Sequence, residues 1–273
     1  MKTQRHISYL LMTVLLGFFA QAQASLLFYE GFDYGASDAL LTTAGGANWV
    51  NTTGDDNAAY VASGLSYGSL ATSGGMVQTQ TNWGTRDYVY DFADIDISGE
   101  DEIWLSMLVQ MPAAIGGNTS AEFGMTMVRN SWGGVVEYEA GKGWGNDDAY
   151  VSSRMSPNSI TGTDYATVED DTILLVYRFT KGEAGRLWAN PTLGSEPLDV
   201  NGQVLNDGGN PGLTSINKIN ITYLGHQMNV DELRIGTTFG DVSPVPEPGA
   251  LSLMAIAGCV FWVSRRFRRS KRC

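Results

Sequence analysis

Apolar and polar residues alternate along the middle of the chain with the two-residue period of β-strands. In Lys218 to Tyr223, the side chains of Ile219, Ile221 and Tyr223 fall on one face and polar side chains on the other. Two further runs, Ile103 to Met111 and Ile173 to Phe179, are apolar at nearly every position, which indicates strands covered on both faces. Shorter runs predict strands at Leu26–Glu30, Tyr60–Leu65, Met76–Thr81, Ala121–Arg129, Val135–Glu139, Gly185–Ala189 and Val230–Gly236.

Turn-forming segments separate these runs. Glycine makes up 33 of the 273 residues, and it is concentrated in segments such as Ser73-Gly74-Gly75 and Asn206 to Gly212. No segment between residues 25 and 241 keeps an apolar stripe at helical spacing over three turns. Many short strands without crossover helices predict an all-β domain at residues 25–241, an antiparallel two-sheet jelly-roll sandwich, with a closed barrel as the alternative.

The first 24 residues have the pattern of a secretory signal peptide. Lys2 and Arg5 precede an apolar run at residues 7–20. Ala22 and Ala24 then supply the small residues of a cleavage site, so we expect signal peptidase to cut after Ala24. The alternative is an uncleaved anchor, but the apolar run is shorter than the roughly 18 residues that a membrane span needs.

A second membrane-directed pattern lies at the C-terminal end. Residues 242–248 form a linker that contains Pro246-Glu247-Pro248, and residues 249–264 are an apolar segment that predicts a short transmembrane helix. Six basic residues follow within residues 265–273. Because short cytoplasmic flanks carry the excess of lysine and arginine, we expect the tail inside and the domain outside the membrane.

These C-terminal features resemble the PEP-CTERM sorting signal, which combines a Pro-Glu-Pro triplet, a short transmembrane helix and an arginine-rich end. Pro246, Glu247 and Pro248 match the triplet, and Arg265 and Arg266 match the basic end. The resemblance implies an exported bacterial protein that an exosortase cleaves near the triplet and passes to the cell surface or extracellular matrix. The alternative is an ordinary single-pass anchor, since a basic cytoplasmic tail alone gives the same pattern.

Charge and composition exclude several classes of function for the domain. The chain has a formal net charge of −12, and residues 25–245 hold 28 acidic against nine basic residues. Nucleic acid and anionic membrane surfaces are therefore poor partners. Cys259 and Cys273 lie in the C-terminal segment and His226 is the single histidine of the domain, which excludes disulfides, multi-histidine metal sites and a cysteine nucleophile there.

Three short stretches of the domain resemble the concanavalin A-like, laminin G-like sandwiches. They are Tyr29 to Tyr34, Leu174 to Pro191 and Asp231 to Gly236. The resemblance implies a sandwich in which the first and last strands lie side by side. It supports the fold rather than any activity.

No catalytic residue is assigned from the sequence. Retaining glycosidases hold two carboxylates about 5 Å apart on one sheet face, and Asp94 and Asp96 are the nearest match in this chain. Ser98 and Gly99 follow them with turn chemistry. We therefore expect this segment to be a solvated turn before the strand that starts near Ile103.

Four aromatic residues in a glycine-rich region form the candidate ligand site. They are Trp132, Tyr138, Trp144 and Tyr150, and Asn146, Asp147 and Asp148 lie among them. Flat rings stack on the apolar faces of sugars, while amides and carboxylates bind the hydroxyl groups. The alternative is that these rings cap the end of the sandwich as part of its core.

Two carboxylates near the ends of the domain form the candidate metal site. Strand alternation that turns Leu233 and Ile235 inward also turns Asp231 inward, and the same argument applies to Glu30 on the first strand. If these strands are neighbours, two carboxylates meet in a medium of low polarity, where a calcium ion bound by oxygen ligands stabilises them. The alternative is that turn amides donate hydrogen bonds to both groups.

The sequence as a whole predicts a non-enzymatic β-sandwich delivered to the envelope or extracellular matrix, where it binds glycan or serves adhesion. The first alternative is a secreted glycoside hydrolase or lyase of the same fold, and the second is a purely structural surface protein. Expected partners are signal peptidase and exosortase during export, the membrane before processing, and extracellular polysaccharide afterwards. Calcium is the expected cofactor, and no other is predicted.

Replacement of Pro246, Glu247 and Pro248 by alanine tests the sorting signal. If an exosortase recognises the triplet, the variant chain should stay at full length in the membrane fraction, while the parent chain is shortened and leaves it. Fractionation followed by immunoblotting with an antibody against the domain measures both properties. Processing that is the same in the variant and the parent would contradict the assignment.

Overall fold

The computed structural model describes residues 25–35, 39–53, 58–79, 86–110, 123–129, 136–142, 150–153, 165–166, 170–180, 183, 185–204, 215–224 and 227–245. The signal peptide, the Pro-Glu-Pro triplet, the apolar C-terminal segment and the basic tail lie outside these residues. Within the described ranges, no helix is both long enough and apolar enough to span a membrane.

Short strands make up most of the described chain. They are β1 (Leu26–Glu30), β2 (Ala39–Leu40), β3 (Trp49–Asn51), β4 (Ala59–Val61), β5 (Met76–Gln78), β6 (Arg86–Asp96), β7 (Glu102–Gln110), β8 (Phe123–Arg129), β9 (Val136–Lys142), β10 (Tyr150–Ser153), β11 (Tyr165–Ala166), β12 (Thr172–Thr180), β13 (Arg186–Ala189), β14 (Gln203–Val204), β15 (Ser215–Leu224) and β16 (Asn229–Gly236). The described helices are one turn long: α1 (Leu41–Ala44), α2 (Phe239–Val242), and 3₁₀ turns at Gly46–Asn48 and Asp199–Asn201.

The strands form two antiparallel sheets. Nine strands make up the first sheet, in the order β14-β13-β12-β7-β16-β5-β4-β2, with β1 also paired to β16. Seven strands make up the second, in the order β11-β10-β9-β8-β15-β6-β3. The structure thus has the antiparallel two-sheet arrangement that the sequence predicts.

Apolar side chains from both sheets meet in one core. Leu105, Leu175 and Leu233 come from the nine-stranded sheet, and Tyr88 and Ile219 come from the seven-stranded sheet. In β15, Ile219 and Ile221 are buried in this core, as their alternation predicts. Packing between the two inner faces is what makes the molecule a sandwich.

The outer face of the nine-stranded sheet, which is the face turned away from the other sheet, is also covered. Its apolar side chains include Trp104 and Leu108 on β7 and Leu174 and Val176 on β12. They pack against two segments that contain Leu65, Leu70, Phe239 and Val242, and all these side chains together form the outer cluster. Each of the two strands buries seven consecutive residues, which agrees with the prediction of strands covered on both faces.

The covering segments explain two departures from the predicted pattern. Ser106 interrupts the apolar outer face of β7, and its hydroxyl donates a 2.5 Å hydrogen bond to the carbonyl of Val242 in α2. The strand predicted at Tyr60–Leu65 is shorter in the structure, where β4 ends at Val61. Leu65 belongs instead to the β4–β5 loop (residues 62–75), where it lies over the sheet as part of the outer cluster.

Two valines test how much stability the inter-sheet core supplies. Val230 in β16 is fully buried, while Val50 in β3 is 49% exposed. Replacement of Val230 by alanine should lower the free energy of unfolding by about 2–3 kcal/mol, because two buried methyl groups are removed and a cavity remains. The same replacement at Val50 should cost less than about 0.5 kcal/mol. Urea denaturation of the purified chain measures both, and equal losses would contradict the assigned core.

Candidate functional site

The last strand, β16, changes its partner at Asp231 and Glu232. On one edge, Asn229 and Val230 pair with β5, and residues 233–236 pair with β1. On the other edge, β16 pairs with β7, and the register shifts between Asp231 and Arg234. The two acidic residues therefore lie at a β-bulge, and Glu232 adopts a φ of 55°.

This bulge decides on which face of the sheet each side chain lies. Residues that are directly opposite in an antiparallel pair share a face. Asp231 lies opposite Leu108, which belongs to the outer cluster. Leu233 is buried in the inter-sheet core and lies opposite Glu30 of β1.

The predicted metal pair is therefore not brought together. β1 and β16 are neighbours, as the sequence resemblance implied. However, Glu30 lies on the core side of the sheet and Asp231 on the outer side, because the bulge reverses the alternation that the prediction assumed. Within the described residues, no group of three or more histidine, cysteine, aspartate or glutamate side chains is placed to hold a metal ion. Calcium binding itself stays a prediction.

Each of the two carboxylates has its own hydrogen-bond donors. Glu30 accepts hydrogen bonds from the backbone N–H of Phe32 at 2.7 Å and from the hydroxyl of Tyr34 at 2.9 Å. Asp231 accepts from the backbone N–H of Leu65 and from that of Glu232, both at 2.7 Å. Burial raises the pKa of Glu30 above its usual range and raises the pKa of Asp231 to about 8.

Glu232 and Arg234 complete a buried polar cluster on the outer face. Glu232 forms an ion pair with Arg234, and both side chains are almost fully buried. Glu232 also accepts hydrogen bonds from the backbone N–H of Ser73 at 2.6 Å and from the hydroxyl of Tyr29 at 3.2 Å. Arg234 donates to the carbonyl of Ala71 and lies over the ring of Tyr29 at 4.9 Å.

We call this cluster of Asp231, Glu232 and Arg234 the acidic clamp. It holds the β4–β5 loop on the sheet. Its partners in the loop are the backbone groups of Leu65, Ala71 and Ser73. The side chains of Asp231 and Glu232 have no exposed surface, so a polymeric substrate cannot reach them. The strand alternation of the sequence predicts neither the bulge nor the burial of Glu232, although two adjacent acids in an apolar strand were a signal of it.

On β3, β6 and β15, where the structure describes side chains of the seven-stranded sheet, the outer face carries charged groups that are exposed to solvent. We define this ligand face by Val50 on β3, Asp87, Val89 and Asp91 on β6, and Lys218 and Asn220 on β15, which share one side of the sheet by register. Val50 is 49% exposed. Asp91 and Lys218 form an ion pair at 2.8 Å, with side chains 60% and 31% exposed, whereas Asn220 is buried.

The predicted turn is shorter than expected, because it begins only at Ser98. Asp94 and Asp96 belong to the end of β6, and both are exposed. Hydrogen bonds from the Ser98 side chain and, at 2.9 Å, from the Ser98 backbone N–H keep the pKa of the Asp96 carboxyl below its usual range. Asp94 accepts a 2.7 Å hydrogen bond from the amide of Asn217.

The predicted aromatic site is only partly within the described chain. Trp132 and Trp144 lie outside the described residues. Tyr138 lies in β9 opposite Val128, in the row of positions that contains Ile219 and Tyr90. Tyr150 begins β10, next to the sheet edge formed by β11. The backbone thus places Tyr138 and Tyr150 in neighbouring strands of the seven-stranded sheet, and sugar binding by these four residues stays a prediction.

Comparison with solved structures shows what this fold resembles. The endo-1,3-beta-glucanase from Streptomyces sioyaensis is 14% identical, over 79% of this chain and 97% of its own, with a TM-score of 0.53. The T. cruzi calreticulin globular domain is 11% identical, over 80% of this chain and 90% of its own, with a TM-score of 0.51. No family model matches the chain, and none of the curated proteins matches it.

These likenesses show a β-sandwich fold, in agreement with the two-sheet arrangement of the structure. They also correct one prediction. We expected a domain without enzymatic activity, and the glucanase contradicts that expectation because a hydrolase is built on the same sandwich. Nothing in the fold therefore argues against an enzyme.

The acidic clamp predicts an unusual dependence of stability on pH. An unfolded aspartate ionises near pH 4, whereas burial raises the pKa of Asp231 to about 8 in the folded chain. Between these pH values the folded state binds the extra proton, so the free energy of unfolding falls as the pH rises. We expect the melting temperature to fall by several degrees from pH 5 to pH 8.

Replacement of Asp231 by asparagine removes the titrating group and should make this fall clearly shallower. Asp96→Asn is the matched control, because Asp96 is exposed and its pKa is lowered, so it titrates below this pH range. Thermal unfolding followed by circular dichroism at several pH values measures the slope for each chain. A slope that Asp231→Asn leaves unchanged would show that another group titrates.

Proposed function

We propose that the chain is an exported protein that binds a neutral polysaccharide on the ligand face of its seven-stranded sheet and hydrolyses it. The observation that carries this proposal is the difference between the two outer faces. The nine-stranded sheet is covered by the β4–β5 loop and by α2. The ligand face keeps exposed polar and charged side chains at Asp91 and Lys218.

The charge of the domain favours a neutral polymer. Residues 25–245 hold 28 acidic and nine basic residues. A chain of this charge repels uronate polymers, and the repulsion is strong where a long polymer lies along the surface. Lyases act on uronate polymers, since the carboxylate of the sugar acidifies the proton that is removed. Hydrolysis of a neutral glycan is therefore the better match than a lyase reaction.

Hydrolysis of a glycosidic bond needs two carboxyl groups about 5–9.5 Å apart. Asp87 and Asp91 share the ligand face but are four residues apart on one strand, which corresponds to roughly 13 Å. Asp91 is also paired with Lys218. The proposal therefore requires one carboxylate of β6 and a second from a neighbouring strand or loop. The likeness to the glucanase supports the reaction class only through the shared fold.

We also propose that the sorting signal delivers the domain to its substrate. The signal peptide and the Pro-Glu-Pro segment support an exported chain that is anchored, processed by an exosortase and passed to the cell surface or extracellular matrix. Polysaccharide is abundant in both places, and a hydrolase there would remodel it. This location rests on the sequence pattern.

Incubation of the purified full chain with a polysaccharide panel tests the proposed activity. We expect release of reducing ends from a neutral glucan, including β-1,3-glucan, and no cleavage of alginate. The Asp91→Ala variant should lower the cleavage rate by about tenfold, because it changes the charge of the ligand face. Asp171→Ala is the matched control, since Asp171 is exposed but precedes β12 in the other sheet.

Three results would contradict the proposal. If the chain cleaves none of the neutral polymers, the proposed activity is wrong. An unsaturated product from alginate would show a lyase instead. Equal loss of activity in Asp91→Ala and Asp171→Ala would show that the ligand face does not bind the polymer.

A further inference from the structure

A cavity lies beside the outer cluster of the nine-stranded sheet, away from the ligand face. It is half open to solvent, has a volume of about 320 Å³, and is lined by Trp188 and Ala189 of β13 and by the loop that follows as far as Asn201. Small-molecule pockets start at about 300 Å³, so this one has room for one or two ring-sized groups. No residue of the ligand face or of the acidic clamp lines it.

Hydrogen bonds to the sheet hold the walls of this cavity in place. Asn190 has a φ of 53°, its N–H donates to the carbonyl of Leu174 at 2.7 Å, and its Oδ1 accepts from the N–H of Leu174 at 2.9 Å. The indole N–H of Trp188 donates to the carbonyl of Leu198 at 3.2 Å. A ligand that enters the cavity therefore meets walls that are already ordered, which lowers the entropic cost of binding.

Arg178 fixes the far side of the same loop. Its guanidinium lies 5.5 Å from the ring centroids of both Trp104 and Trp188. It forms ion pairs with Asp199 at 2.7 Å and with Glu196 at 3.6 Å. Glu102 lies 3.9 Å from the same guanidinium, so one positive charge faces three carboxylates and this part of the loop does not attract an anion.

The rim of the cavity offers polar groups that are available to a ligand. The side chains of Thr192, Ser195 and Asn201 are exposed and line it. Among the described residues these three side chains make no hydrogen bond. Each of these hydroxyl and amide groups can donate hydrogen bonds and accept them, as the hydroxyl groups of a sugar require.

Apolar surface lies between these polar groups. Pro191, Pro197 and Leu198 line the cavity, and Leu198 is 67% exposed. A sugar ring has apolar C–H faces and a polar edge, so it matches a lining of this mixed kind. The excess of carboxylates around Arg178 disfavours an acidic sugar.

From this geometry we infer that the cavity is a second glycan-binding site, which holds a single neutral sugar unit apart from the ligand face. The site deepens the proposed function, since its ligand class rests on the polysaccharide activity proposed above. Its role is to hold a chain end or side branch of the polymer while the ligand face acts on the main chain.

Titration of the purified full chain with glucose, galactose, mannose, cellobiose and glucuronate tests this site. Saturation-transfer NMR should show a neutral sugar bound with a Kd on the order of 1 mM, as expected for a ligand of this size. Ser195→Trp fills the cavity and should weaken that binding by about tenfold or more. Ser98→Trp, at the turn after β6, is the matched control and should leave the affinity unchanged.

The outcomes separate this site from the proposed function. Absence of neutral-sugar binding up to on the order of 50 mM, equal binding by Ser195→Trp, or equal affinity for glucuronate would each overturn the site. If the parent chain binds a neutral sugar but cleaves no polymer, and Ser195→Trp does not bind the sugar, the result would support the site and contradict the proposed activity. Loss of sugar binding in Asp91→Ala would overturn the assignment of two separate sites.

Discussion

Two neighbouring strands, β7 and β12, are apolar on both faces, and the rest of the sandwich is arranged around the need to cover them. They run antiparallel through nine matched pairs, from Thr172 opposite Gln110 to Thr180 opposite Glu102. The inner face is covered by the second sheet. The outer face would leave side chains such as Trp104 and Leu174 in water, at a cost of about 1.5–3 kcal/mol for each. The β4–β5 loop and α2 remove that cost by covering these side chains.

The loop that covers the outer face brings backbone N–H groups into a buried place, where they need hydrogen-bond acceptors. The acidic clamp supplies these acceptors. Asp231 and Glu232 accept hydrogen bonds from the N–H groups of Leu65 and Ser73, which have no strand partner there. The close contact between the β4–β5 loop and the chain after β1 also explains why residue 74 is a glycine. Gly74 has a φ of 79°, and a Cβ atom at this position would lie 2.0 Å from the carbonyl oxygen of Gly31.

Local sequence patterns predict the strands well and the polar arrangements poorly. Ile219 and Ile221 in β15 follow a strict alternation, and the two-sided apolar runs of β7 and β12 are visible as continuous hydrophobic segments. The face on which Asp231 lies was predicted wrongly, since one inserted residue at a bulge reverses the alternation, and the adjacent acids Asp231 and Glu232 were the local sign of it. The cavity beside Trp188 could not be predicted at all, because its walls come from a loop fixed by contacts with Leu174 and Arg178.

The order in which the nine-stranded sheet is assembled follows from the position of β16. This strand is the last of the domain to be synthesised, yet it lies in the interior of the sheet and pairs with β1, β5 and β7. Until residue 236 has emerged, β1 and β7 have unpaired backbone edges that can bind other chains. Contacts of such long sequence separation form slowly. These edges are closed only when residues 229–236 pair with them, so the nine-stranded sheet is completed by a segment that is made late in synthesis.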